Sequence, residues 1–194
     1  MFNSKTIEEF IEKARKVPGI SRKQAEKIVF WILNSSEEEV FSLASSIRKV
    51  KDKITFCPTC GNAIDQGACP ICSENDRDNI LLVVENVAII EKIEKAKFYY
   101  GKYFVFKDLI KNEQDIQKAQ IQITNLINYA KNFEEVILGI SPNIHGEITN
   151  NILKKKLQDH NIKVSQLAIG LPIGSSVDYI DDITLKLSLV NRSK

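Results

Sequence analysis

Apolar positions repeat along this chain with two different periods, and the change of period divides it. Ile7, Phe10, Ile11 and Ala14 fall at helical spacing and predict an amphipathic helix over 6–16. Val17-Pro18-Gly19-Ile20-Ser21 breaks that pattern. Ser21 is placed to cap a second helix, 22–33, with Ala25, Ile28, Val29 and Ile32 on one face. A third helix is predicted over 36–50, its first turn holding Glu37, Glu38 and Glu39, where the helix dipole favours acids.

Beyond residue 79, short apolar runs alternate with helical patterns. Strands are predicted at 80–84, ending at Glu85, and at 103–106, 135–140 and 162–169. Helices are predicted at 87–96, 116–131 and 146–160, with a last one at 181–189. Such alternation implies a mostly parallel sheet covered on both faces. The longest apolar runs, 28–33 and 80–84, are far too short to span a bilayer. Glu8, Glu9 and Glu12 stand where a secretory signal needs apolar residues, so the expectation is a cytoplasmic protein with no membrane partner.

The length of 194 residues fits one large domain or two small ones. With 43% hydrophobic and 27% charged residues, enough apolar surface exists to offset the entropy of ordering, which excludes the disordered and fibrous classes. The net charge of +2 says little about partners, but its distribution says more. Between residues 13 and 27 stand Lys13, Arg15, Lys16, Arg22, Lys23 and Lys27 against the single acid Glu26. This is either an electrostatic footprint for phosphates or a solvated helix face. Two short helices joined by a Pro-Gly turn form a helix-hairpin-helix pattern. Its turn and following helix N-terminus can receive a DNA phosphate without reading bases. Arg22, Lys23 and Lys27 are the candidate DNA-binding residues, the two lysines four apart on one helix face.

The four cysteines form two CxxC pairs, Cys57-Pro58-Thr59-Cys60 and Cys69-Pro70-Ile71-Cys72, separated by eight residues rich in turn-formers. Two such pairs can place four thiolates at the corners of a tetrahedron, a donor set suited to zinc. In a reducing compartment a disulfide would not persist, which leaves metal as the default explanation over two unrelated cysteine pairs in a core. With four protein ligands the site is closed, so one structural Zn²⁺ per chain is expected at Cys57, Cys60, Cys69 and Cys72.

The order of these parts, with the phrases VPGISRKQAEK, CPTC, CPIC, ILLVVE, YYGKYFV, SPNIHGE and GLPIGSSVDYIDDITL, resembles the bacterial RecR family of recombination mediators. The phrases span nearly the whole chain in order. The α/β part is similar to a Toprim domain, the fold shared by primases and topoisomerases. The resemblance implies an α+β multidomain protein. Its parts are a helix-hairpin-helix domain (1–53), a four-cysteine zinc finger (54–76), a Toprim domain (79–174) and a C-terminal segment (175–194). It also implies a DNA-binding mediator of recombinational repair that works with RecO and RecF to help load RecA on single-stranded DNA. Homo-oligomeric rings, dimeric or tetrameric, that encircle DNA are implied as well, and Lys23 and Lys27 match positions usually basic in that family. The chain departs from the family pattern at Ser21, at Phe104–Lys107, at His145 and at Ile169.

Catalytic Toprim domains use a glutamate after the first strand and an acid-x-acid pair after a later one, because converging carboxylates hold Mg²⁺. Here Glu85 fills the first position, but Ser141 and Asn143 stand where the pair would be. Glu85 and Glu147 read as acidic remnants or partner-binding residues, and no catalytic residue is expected. Two alternatives stay open, a Mg²⁺-dependent nuclease or strand-transfer enzyme and a protein-only interaction module. His145, His160 and Trp31 read as surface or packing residues.

Overall fold

The computed structural model describes residues 4–192, which fall into two compact units divided between residues 54 and 55. In the first, α1 (Lys5–Ala14), α2 (Arg22–Asn34) and α3 (Glu37–Lys53) follow one another. Buried Ile11, Ala25 and Val29 join α1 to α2, with Ile7, Phe10, Ala14 and Ile20 around them. The hairpin turn passes through Gly19 at φ 84°, a left-handed conformation that a side chain would strain. Ser21 caps α2 through a full capping box. The Gln24 N–H donates to Ser21 Oγ (3.3 Å) and the Ser21 N–H to Gln24 Oε1 (2.6 Å). Ser36 and Glu39 repeat the device at α3. None of the α3 residues is buried.

The strand pair β1 (Ile54–Phe56) and β2 (Ala63–Asp65) and the short helix α4 (Pro70–Ser73) lead into the second unit. The sequence pattern predicts none of these three, because their few apolar residues stand among cysteines and turn-formers with no longer apolar run to mark them. Next come β3 (Ile80–Val84), α5 (Val87–Ala96), β4 (Lys102–Val105), α6 (Glu113–Ala130), β5 (Glu135–Leu138), α7 (Ile144–Gln158) and β6 (Val164–Gln166). A 3₁₀ turn (Val177–Tyr179) and α8 (Asp182–Val190) close the described chain. Asn112, Asn143 and Asp181 cap α6, α7 and α8 through their side chains, which sets helix starts that apolar spacing alone misplaces by up to three residues. The last strand is shorter than 162–169 because β5 ends at Leu138. Leu167 still donates to the Leu138 carbonyl (3.1 Å), and then the chain leaves the sheet.

The four strands run parallel in the order β4-β3-β5-β6. Each face is covered differently. Leu81 and Val83 of β3 point to one side, where α6 and α7 pack through Ala119, Ile123, Leu126, Leu153 and Leu157. Leu82 and Val84 point to the other, where Ile90 of α5 is joined by Cys57, Cys60, Cys69 and Ile71. The cysteine-bearing segment therefore does the work of a covering layer, and β3 is buried on both sides, as its unbroken apolar run predicts.

Candidate metal centre and nucleic-acid interface

Cys57 and Cys60 lie in the turn between β1 and β2, Cys69 precedes α4, and Cys72 lies within it. Two backbone bonds close the first turn, Cys57 N–H to Asn62 O (2.8 Å) and Gly61 N–H to Cys57 O (2.9 Å). The four Sγ atoms lie within 4.8 Å of one another, and all four cysteines are free of disulfides. Cys57 and Cys72 are 3.8 Å apart at sulfur, and Cys60 and Cys69 are 3.7 Å apart. A tetrahedron of thiolates with metal–sulfur bonds of ~2.3 Å has edges of ~3.8 Å. This donor set fits a metal ion, and Asn62 N–H already points at Cys60 Sγ (3.5 Å). Burial pushes the Cys72 thiol up to about 11, with Cys69 and Cys57 adding to the rise, and it raises Cys60 still further. For Cys57, burial works upward too, but the backbone N–H groups of Cys60 and Thr59 bring it down to about 7. Crowded thiols of this kind ionise together only when a cation balances them.

The cluster is fastened to the α/β sheet at several points that spacing could not reveal. Val105 N–H donates to Cys60 O (2.8 Å), and Lys102 Nζ donates to Cys72 O (3.3 Å). Lys107 Nζ sits 3.3 Å from the centre of the Phe56 ring. Tyr129 of α6 packs against the buried group in which Cys57, Cys60 and Cys69 join side chains of β3, β4 and α5. Those partners come from β4, the loop after it and α6, so no motif in the sequence signals them.

In the first unit the three basic candidates differ. Arg22 is tied down. Its guanidinium donates to both Glu8 oxygens (2.7 and 2.8 Å) and to Glu26 (3.2 Å), with Glu12 at 3.8 Å, so it braces α1 against α2. Lys23 and Lys27 are exposed and have no ion-pair partner among the described residues. Both lie in the first two turns of α2, whose capping box leaves the Arg22 and Lys23 N–H groups as helix-end donors.

The strand order reverses between β3 and β5, and crevices at such switch points are the usual ligand sites of open parallel sheets. Glu85 and Ser141 meet there. One Glu85 oxygen accepts both the Ser141 N–H (2.9 Å) and the Ser141 hydroxyl. Asn143 Oδ1 accepts the Gly146 N–H (2.9 Å), and Glu147 accepts from Gln166 (3.2 Å). Gly146 is required here, since a Cβ would collide with the Ser141 carbonyl. Among the described residues, the only group of three or more potential metal-binding side chains is the cysteine cluster.

Comparison with known proteins assigns the whole chain. Recombination protein RecR of Mycoplasmopsis pulmonis is 40% identical over 186 residues, covering 96% of this chain and 97% of that protein. The protein of the same name from Bifidobacterium adolescentis is 38% identical over 189 residues, covering 96% and 94%. This chain belongs to the RecR family. The relative from Finegoldia magna extends the match to 193 residues at 34% identity, covering 97% and 96%. A profile described as Toprim domain matches residues 79–168, which are β3 to β6. A profile described as RecR, C-terminal, matches residues 170–193. The structure thus brings together all four predicted cysteines. It leaves Lys23 and Lys27 free, and it turns Ser141 from an apparent gap in an acidic pair into the hydrogen-bond partner of Glu85.

Proposed function

We propose that the chain is a non-enzymatic, DNA-binding mediator of recombinational repair. It acts in the cytoplasm with RecO and RecF to help load RecA on single-stranded DNA. The observation that carries this reading is the nearly full-length relationship to proteins named recombination protein RecR. Lys23 and Lys27, free beside the Gly19 turn and the α2 N-terminus, supply sequence-independent phosphate contacts. Cys57, Cys60, Cys69 and Cys72 hold one structural zinc ion, which supplies no chemistry beyond fixing the fold because the donor set is closed. The chain assembles as a homo-oligomeric ring. The exposed apolar residues of α3 and α8 support assembly, and a ring multiplies modest phosphate contacts per copy.

Glu85 and Glu147 are acidic remnants that serve hydrogen bonding or partner binding. A Mg²⁺ enzyme finds no support at the switch point, since Ser141 occupies one Glu85 oxygen and Asn143 caps a helix. DNA binding measured against salt tests the central claim. Each lost phosphate contact lowers the log–log slope by roughly 0.9, so Lys23→Ala with Lys27→Ala should weaken binding similarly for all sequences and flatten the slope. Unchanged affinity and slope in a correctly assembled double variant would overturn it.

A further inference from the structure

The loop that joins α5 to β4, residues 97–101, is pinned at several points, yet it turns two aromatic rings to water. Lys97 ends α5 in a left-handed conformation (φ 54°), its N–H donating to the Ile93 carbonyl (3.0 Å). The Tyr99 hydroxyl bonds the Ile80 and Lys102 carbonyls (3.0 Å each), and its ring meets Tyr103 edge-on (5.2 Å). Asp78 N–H donates to the Tyr100 carbonyl (3.0 Å), and Arg77 Nη1 donates to the Gly101 carbonyl (3.0 Å). With Tyr99 held inward between them, Phe98 and Tyr100 stand 71% and 62% exposed. Rings carried on a loop already ordered cost little further entropy when a ligand meets them.

Lys92, Lys95 and Lys97 precede the rings, and all three are exposed. Lys95 pairs with Glu91 (2.7 Å), whereas Lys92 and Lys97 have no ion-pair partner among the described residues. Asp78 is an acid at the same edge, so charge adds less here than stacking does. The cores of protein–protein interfaces gather aromatic residues but are depleted in lysine. Rings set among lysines match single-stranded nucleic acid instead, whose bases stack on aromatic faces while cations follow its phosphates. We propose that Phe98 and Tyr100 form a base-stacking site for single-stranded DNA, with Lys92 and Lys97 on its phosphates. The site belongs to the α/β unit, whereas Lys23 and Lys27 belong to the helical one. Duplex DNA, its bases already stacked on one another, gains nothing from these rings. The inference rests on the DNA-binding reading above and adds a strand preference to it.

Phe98→Ala with Tyr100→Ala removes the rings and leaves the anchors at Tyr99 and Gly101 in place. Fluorescence anisotropy follows binding to a deoxythymidine oligonucleotide, an abasic strand of the same length and a duplex of the same length. Stacking contributes about 5–150-fold in affinity per base, so the variant should bind the deoxythymidine strand about fivefold more weakly or worse. Its affinity for the duplex should match wild type, and the wild-type preference for the deoxythymidine strand over the abasic one should disappear. Ultraviolet crosslinking of wild type to an iododeoxyuridine strand should mark Phe98 or Tyr100. Wild-type affinity for the deoxythymidine strand in the folded variant would overturn the inference alone. A changed assembled mass with DNA binding intact would do the same, making the rings a contact between copies. A wild-type protein that binds neither single strand nor duplex would overturn the DNA-binding reading and this one with it.

Discussion

Arg77 illustrates how far single residues in this chain are committed. Its guanidinium forks onto Glu94 (2.7 and 2.9 Å) and also donates to Glu74 (2.7 Å) and the Gly101 carbonyl (3.0 Å). Tyr103 adds a hydroxyl to Glu94 (2.6 Å). Arg77, above all, holds the Glu94 carboxyl below its ordinary range; burial opposes this and Tyr103 assists it. A depressed carboxylate contributes stability that is present above the unfolded value of ~4.3 and fades as pH falls through the folded value. Glu94→Gln should therefore cost roughly 1–3 kcal/mol at neutral pH, by leaving a half-satisfied arginine. The gap to wild type should narrow below about pH 4. Denaturant titrations at pH 7 and pH 3.5 check this, and an equal gap at both would show that the charge is not what matters. Arg22 follows the same logic with acids on α1 and α2, which is why it differs from Lys23 although the two are adjacent in sequence.

Among the elements, the cysteine knuckle was legible from its spacing as a candidate metal site, yet its mechanical role was not. It covers Leu82, Val84, Tyr103 and Val105 on one face of the sheet, alongside α5. Metal loss should then loosen the sheet as well as the knuckle. Cys69→Ser should reduce metal content, lower the melting temperature of the α/β unit and raise hydrogen exchange along β3 and β4. Normal protection of those strands in the metal-free variant would show that the knuckle folds independently. The long helices were readable because their apolar faces repeat several times, and β3 because its apolar run is unbroken. The strands β1 and β2 and the helix α4 exist only because the cysteine turns and the adjoining sheet hold them.

At the scale of the whole molecule, α3 has Phe41, Leu43, Ile47 and Val50 exposed, and α8 has Ile183, Leu189 and Val190 exposed. Phe41 is 76% accessible and Ile47 66%. Exposed apolar residues in such rows favour association. A second copy of the chain is the proposed occupant of the α3 face. Phe41→Glu with Ile47→Glu should reduce the assembled mass found by crosslinking and mass determination while leaving metal content unchanged. An unaltered mass would place the contact elsewhere. Among the described residues no helix is long and apolar enough to cross a membrane.

The sequence by itself determined the order of the parts, the four cysteines as a candidate metal site, the hairpin with its Gly19 turn, and the parallel α/β pattern. Each of these depends on local spacing or backbone geometry, which a linear string carries. Only the tertiary structure decided that Arg22 is bound by acids, that Ser141 clasps Glu85 across the switch point, and that the cysteine segment covers one face of the sheet. Glu85 and Ser141 lie at the ends of neighbouring strands, 56 positions apart in sequence. Their meeting follows from strand order, and strand order is set by how helices and the cysteine knuckle share the two faces of one sheet. That division is a property of the packed chain, which no single segment encodes.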